Sequence, residues 1–463
     1  MEPHAIGARS QGTVEGKVGS AAVRFSLKTY VNPWLLTVAL VLGLALLTRL
    51  YDLGSFPYFP EASPWLGAKG NYAGLFIDEA VYAQIANSFP SVLSAYQPPL
   101  QIAAVKASLL LFGNDALASR LPSALASSLT AVLVFLAAKE LFNSKAAALV
   151  AGLYYVAMVP ALIYGRMLFL ENFAGLFVAA TILSIAKFEN GAGLRWLYLA
   201  AFASAIAALG KINGLFVPAF FTLWALSRQE RREKLLPLLV AWIPALAGLF
   251  GLLALSGSLQ GLLSQWNLGF VGRELSFQYL AIQSMPSGNV LVAGGYFKLE
   301  FWFLYGYACL AALLVLGSRA GRLLVEVLLS FLIVMLSVWG LGSYYPIMIY
   351  PVIALAAGGG SRFIAKLGTP GALAFFTGFY VPLVATYVAS SSLPTFAVDY
   401  SLFFLKASLF AFPFLAWLVI GTISSGVQRS RVPFAPIILV SFFVLLVLGT
   451  TVLYPQYFLG RAP

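Results

Sequence analysis

The sequence predicts an all-α polytopic membrane protein, and three observations predict it. Hydrophobic residues fill 61% of the 463 positions and charged residues only 10%, where a soluble domain carries nearer a quarter charged. Apolar runs of about 17–25 residues, the length that crosses a hydrocarbon core, recur along the chain. Most connectors between them are short, and basic residues collect on alternate connectors.

Residues 1–32 are small, polar and basic, with Arg9, Lys17, Arg24 and Lys28 and no apolar centre, which predicts a cytoplasmic tail rather than a signal peptide. Residues 33–463 then form one transmembrane domain. Spans are expected at 33–50, 116–138, 146–164, 168–186, 196–210, 212–226 and 235–255, then at 299–317, 323–341, 344–358, 370–389, 402–422 and 433–454, about 13 in all. The pair 196–210 and 212–226 is short and divided only by Lys211. A cytoplasmic N-terminus puts 18 of the 28 Lys and Arg inside, the densest group being SRQERREK at 227–234. That is the positive-inside bias of a multi-pass cell-membrane protein. Ten basic residues fall outside, among them Arg49, Arg120, Arg166, Lys211 and Arg273, and an outer set of that size needs a reason.

Two outer loops are long, 51–115 and 256–298, so function is expected on the extracytoplasmic face. The first holds FIDEAVYAQIANSFPSVLSAYQPPL at 76–100. Ile77, Val81 and Ile85 are spaced four apart, which predicts a short amphipathic helix opening on Asp78 and Glu79. The chain breaks at Pro98 and Pro99 and resumes over Leu100–Phe112, too short to cross a bilayer. Two juxtamembrane helices would thus hold the carboxylates at the membrane surface. The Gly-rich AAGGGS at 356–361 lacks phosphate-loop spacing and reads as a helix end.

Several function classes are excluded. The basic residues are scattered between apolar spans, which argues against nucleic acid as a partner. Cys309 is the one cysteine and His4 the one histidine, so a disulfide framework and a Cys/His metal site are both absent. No cofactor is certain from the sequence, which leaves open a divalent cation held by carboxylate ligands alone. A secondary transporter or lipid-linked sugar flippase remains the alternative. It would place its ionisable residues mid-span and show paired repeats, whereas here the charges gather at outer ends and no repeat is visible.

FIDEAVYAQIAN, YQPPL and LFGNDALASRLPSALASSLTAVLVFLAAKELF, in that order, resemble the opening third of the protein O-mannosyltransferases and lipid A aminoarabinose transferases. Both are GT-C membrane glycosyltransferases. Further matches are RMLFLEN at 166–172, LGKINGLFVP at 209–218 and YYPIMIYPVIAL at 344–355, so the resemblance runs over most of the chain. It implies a GT-C fold of about 13 transmembrane helices with juxtamembrane helices in the first outer loop, the layout the apolar runs give independently. It also implies transfer of one sugar, with inversion, from a polyprenyl-phosphate donor to a protein, lipid or glycan acceptor, with membrane lipids as surroundings.

By this resemblance Asp78 matches the catalytic acid. The chemistry agrees: an acceptor hydroxyl needs a carboxylate to take its proton, while a phosphodiester departs without a general acid. The alternative for Asp78 is a helix N-cap. Glu79 either orients the acceptor or caps. Glu171, a second catalytic candidate, stands where relatives usually have Asp. Gln97 stands where they commonly have Lys or His beside the proline pair, and being neutral it passes the donor phosphate to Arg166, Lys211 and Arg273. Lys211 lies between apolar spans, where an unpaired charge is costly. Tyr82, one turn from Asp78, and Tyr345 complete the substrate-binding candidates, packing and interfacial belt positions being their alternatives.

Overall fold

The side-chain carbonyl of Asn32 accepts the Trp34 N–H at 3.0 Å and Pro33 follows at the first helical position, so helix α1 opens over Pro33–Leu50. The computed structural model describes residues 32–55, 75, 77–89, 99–228, 235–255, 301–338 and 345–366. Every regular element among them is helical. The expected spans at 370–389, 402–422 and 433–454, the N-terminal tail up to residue 31 and the loop 256–298 lie outside the described residues.

The two predicted juxtamembrane helices are present as α2, Ile77–Ser88, and α3, Pro99–Phe112. The face that α2 buries differs from the predicted stripe. Glu79, Ala80, Tyr82, Ala83 and Ala86 are buried, whereas Val81 and Ile85 are half-buried. Apolar side chains lose little by facing lipid, so small residues and the ion-paired Glu79 take the protein side instead.

Helix α4, Ala116–Phe142, starts at Asp115, whose carboxylate accepts the Ala118 N–H at 2.8 Å, and ends at Asn143 in the left-handed conformation (φ 44°, ψ 44°). The expected span 146–164 is two helices, α5 at Lys145–Ala157 and α6 at Val159–Arg166. The break at Met158 comes from Pro160, which has no N–H to give the turn before it. Helix α7 spans Glu171–Glu189 and α8 spans Leu194–Gly210. Lys211 is extended (φ −153°, ψ 142°), Ile212–Leu215 form a 3-10 turn, and α9 follows over Phe216–Ser227. Then come α10 at Leu235–Leu255, α11 at Phe301–Val315, α12 at Arg319–Val338, a 3-10 turn at Tyr345–Ile349 and α13 at Tyr350–Lys366.

Polar contacts fix how these helices run. At one end of α7 Glu171 meets Lys211, at the start of α9; at the other end Glu189 accepts the Nε1–H of Trp224, near the end of α9. Hence α7 and α9 run the same way and α8 returns between them. Glu140, near the end of α4, pairs with Lys187, near the end of α7, so α4 shares that direction. Helix α7, about 28 Å long at 1.5 Å per residue, matches the hydrocarbon thickness of a bilayer. It and Ala116–Phe142 are, by length and composition, the two described helices suited to cross a membrane; others are apolar but shorter.

Small residues let the helices approach. The buried face of α4 includes Ala118, Ser119, Ser123, Ala124, Ser127, Ser128 and Ala131. AAGGGS lies inside α13 rather than at a helix end. A Cβ on Gly358 would lie 2.6 Å from the Ala147 carbonyl oxygen, and one on Gly360 would lie 2.3 Å from the Cβ of Cys309. Large apolar side chains such as Leu35, Leu40, Leu236, Ile243 and Ile333 point outward, as a lipid-facing surface requires.

Candidate active site

Two buried ion pairs organise the end of the bundle where α1 finishes and α7 begins. Helix α2 starts at Ile77, which puts Asp78 in its first turn and Glu79 beside it. Glu79 is wholly buried and takes a bidentate contact from Arg120 of α4, both N–H···O distances being 2.9 Å. Its Oε1 also accepts the Leu168 N–H at 2.8 Å. Glu79 thus ties α2 to α4 and to the segment leading into α7. Removing one partner of such a pair leaves a buried charge uncompensated, a cost of about 3–5 kcal/mol.

The second pair joins Lys211 and Glu171, Nζ to Oε1 at 2.9 Å, with Lys211 7% exposed and Glu171 wholly buried. Lys211 also donates to the Tyr82 hydroxyl at 3.2 Å and sits 5.5 Å from the centre of that ring. The structure thus brings three sequence-predicted residues together from α2, α7 and the α8–α9 connection. Tyr82 lies one turn from Asp78 on α2, so the acid predicted to be catalytic belongs to the helix that faces this pair. Glu171 is the first residue of α7, where the helix dipole favours a carboxylate. Its contact with Lys211 is ionic: among the described residues neither carboxylate oxygen receives a well-directed hydrogen bond. The carboxylate keeps acceptor capacity.

Arg166 is placed elsewhere. It donates to the Thr48 and Tyr51 carbonyls at the end of α1, where carbonyls lack intrahelical partners. These two bonds cap α1. Arg49, wholly buried, donates to Ser127 Oγ at 2.7 Å and to the Tyr155 carbonyl at 3.2 Å. Arg49, Arg120, Arg166 and Lys211, four of the ten basic residues expected outside, are therefore buried and held by protein groups.

The remaining candidates are not placed. The side chains of Asp78 and Tyr345 and the whole of Gln97 and Arg273 lie outside the described residues. No three His, Cys, Asp or Glu side chains converge among the described residues, and both site acids seen there already face a cation.

Sequence reasoning passed over Arg120, Gln101, Asn172 and Asn213. Gln101 donates to Ser123 Oγ at 2.8 Å and to the Phe169 carbonyl at 3.0 Å, and Asn172 donates to the Tyr164 and Met167 carbonyls, fixing the 167–170 segment. The available signal was polarity within apolar sequence: an Arg in RLPSAL and an Asn in KINGL need partners or ligands.

A family model described as dolichyl-phosphate-mannose-protein mannosyltransferase matches residues 96–259. No curated protein matches the chain in a sequence search. Among solved structures, ArnT from Cupriavidus metallidurans bound to undecaprenyl phosphate superposes with a TM-score of 0.58 at 16% identity, covering 93% of this chain and 78% of that one. The same protein in its apo state gives 0.54 at 15% identity, over 90% and 77%. In fold, and in sequence over 96–259, the chain resembles the GT-C membrane glycosyltransferases of the O-mannosyltransferase and ArnT kind.

Proposed function

We propose that this chain, built on the fold of a GT-C glycosyltransferase, transfers a monosaccharide from a polyprenyl-phosphate donor to a protein, lipid or glycan acceptor on the extracytoplasmic face, with inversion. The observation that carries the reading is the meeting of Tyr82, Glu171 and Lys211, Tyr82 coming from the helix whose first turn holds Asp78. The resemblance over 96–259 and the superposition on ArnT, whose structure holds undecaprenyl phosphate, support it.

In this reading Asp78 takes the proton of the acceptor hydroxyl as the oxygen attacks the anomeric carbon, and the lipid phosphate leaves with the bonding electrons. No acid is needed for so weakly basic a leaving group. Lys211, with Arg273 from the second outer loop, holds the phosphate and offsets the charge that grows as the sugar departs. Glu171 keeps Lys211 in place, and its acceptor capacity suits a hydroxyl of donor or acceptor. Gln97 contributes no charge. A divalent cation would have to displace Lys211 or Arg120 from the described acids. The end carrying Arg228 and Arg319 is cytoplasmic and the Glu171 end is outer.

The test is purified protein supplied with labelled polyprenyl-phosphate sugars and candidate acceptors. Asp78→Asn keeps size and removes the base, so transfer is expected to fall by about 10² or more while the protein stays folded. Transfer at the parent rate would remove Asp78 from the mechanism. A flippase would move the donor across vesicles without cleaving it, and that outcome would replace the reading altogether.

A further inference from the structure

Lys211 is carried by a tight turn that also carries Asn213. The Gly214 N–H donates to the Lys211 carbonyl at 2.8 Å, and the turn folds back on α8 so closely that a Cβ on Gly214 would lie 2.1 Å from the Ala207 carbonyl oxygen. Asn213 is therefore held by rigid backbone, two residues beyond the cation of the site. It is only 2% exposed, yet both Oδ1 and Nδ2 lack any hydrogen-bond partner among the described residues. Burying an amide without partners is unfavourable, and native proteins leave few such groups, so each calls for a ligand, an ordered water or another specific reason. Among the described residues Glu171, the ionic partner of Lys211, likewise has carboxylate oxygens that accept no hydrogen bond, as does Oδ1 of the adjacent Asn172.

We infer that Asn213 is a specificity-determining residue for the donor sugar, hydrogen-bonding its hydroxyl groups. The inference rests on the glycosyl-transfer reading above. A primary amide offers a donor pair and an acceptor on one rigid plane, the complement of adjacent hydroxyls on a sugar ring, each of which donates and accepts. A phosphate would use only the donor half, and a polyprenyl chain neither. The sugar is thus the one part of the donor that satisfies the whole group. Because a site built around a polar contact penalises a ligand that lacks it, Asn213 would select among sugars as well as bind them.

The experiment measures binding of a panel of polyprenyl-phosphate monosaccharides and of bare undecaprenyl phosphate to the full chain and to Asn213→Leu, together with ligand-free melting. Expected results are about tenfold weaker binding of the preferred donor, unchanged binding of the bare lipid phosphate, and a ligand-free Tm equal to or above the parent's, since an unsatisfied amide has been replaced by an apolar group. Asn213→Asp, which keeps the acceptor and loses the donor pair, should fall between the two. A lowered Tm with equal loss for both ligands would show a structural amide and overturn the inference. So would an undiminished preference for the sugar. If the parent itself binds neither ligand, the glycosyl-transfer reading fails first and takes this inference with it.

Discussion

The ion pairs of the site are assembled from residues far apart in the chain. Glu79 and Arg120 are 41 positions apart, and Lys211 and Tyr82 are 129 apart. The need for a partner at Lys211 was readable from the cost of a lone charge among apolar spans, and Glu171 supplies it. Which acid would supply it was not readable, because helix packing rather than sequence spacing makes the match. The same limit applies to Glu79. Side by side with Asp78 it looks equivalent, but successive helical residues point about 100° apart, and Glu79 turns into α4. Glu79→Gln should therefore act through stability. Detergent-solubilised protein is expected to lose about 3–5 kcal/mol, read as a lowered Tm, while the double change Glu79→Leu with Arg120→Met restores most of it. A single variant that melts like the parent would show that the pair does not hold α2 in place.

At the level of elements, apolar runs located the described helices well, from α1 through α13. Boundaries shifted where backbone chemistry outweighed composition, as at Pro160, which divides one expected span into α5 and α6. The glycine run at 358–360 was misread for a physical reason: in water-soluble helices glycine marks an end, whereas between packed membrane helices it permits close approach. The turn after α8 shows how far such proximity matters. Alanine at Gly214 would drive its Cβ into the Ala207 carbonyl, backbone that cannot move aside as a side chain would. Gly214→Ala is expected to cost about 1–3 kcal/mol and to weaken transfer by shifting Lys211 away from Glu171. An unchanged Tm together with parent activity would mean that the turn relaxes freely.

Across the whole molecule, the polar groups sort to two ends. Glu171, Lys211, Glu79 and Arg120 lie at one; Glu140, Lys187, Glu189, Arg228, Arg319 and Glu326 lie at the other. The proposed orientation puts the second end in the cytoplasm, as the positive-inside pattern of the sequence leads one to expect. Ala192, exposed in the connection between α7 and α8, reports on that end without disturbing an ion pair. Introduced as Ala192→Cys in a Cys309→Ala background, it should resist an impermeant thiol reagent applied to intact cells and react once the membrane is opened. Labelling of intact cells would invert the orientation and put the candidate site inside. The two-ended arrangement was legible in the sequence as charge between apolar runs, but the burial of the outer cations was not. Helix α7 also sets a fixed gauge. With Glu171 clamped to Lys211 at one end and Glu189 held by Trp224 and Arg319 at the other, it cannot slide along or lean away from α9 and α12 by itself. A bilayer of another thickness is therefore met by tilt of the helices together or by the lipid around them, and any remaining strain loads the same contacts that position the site.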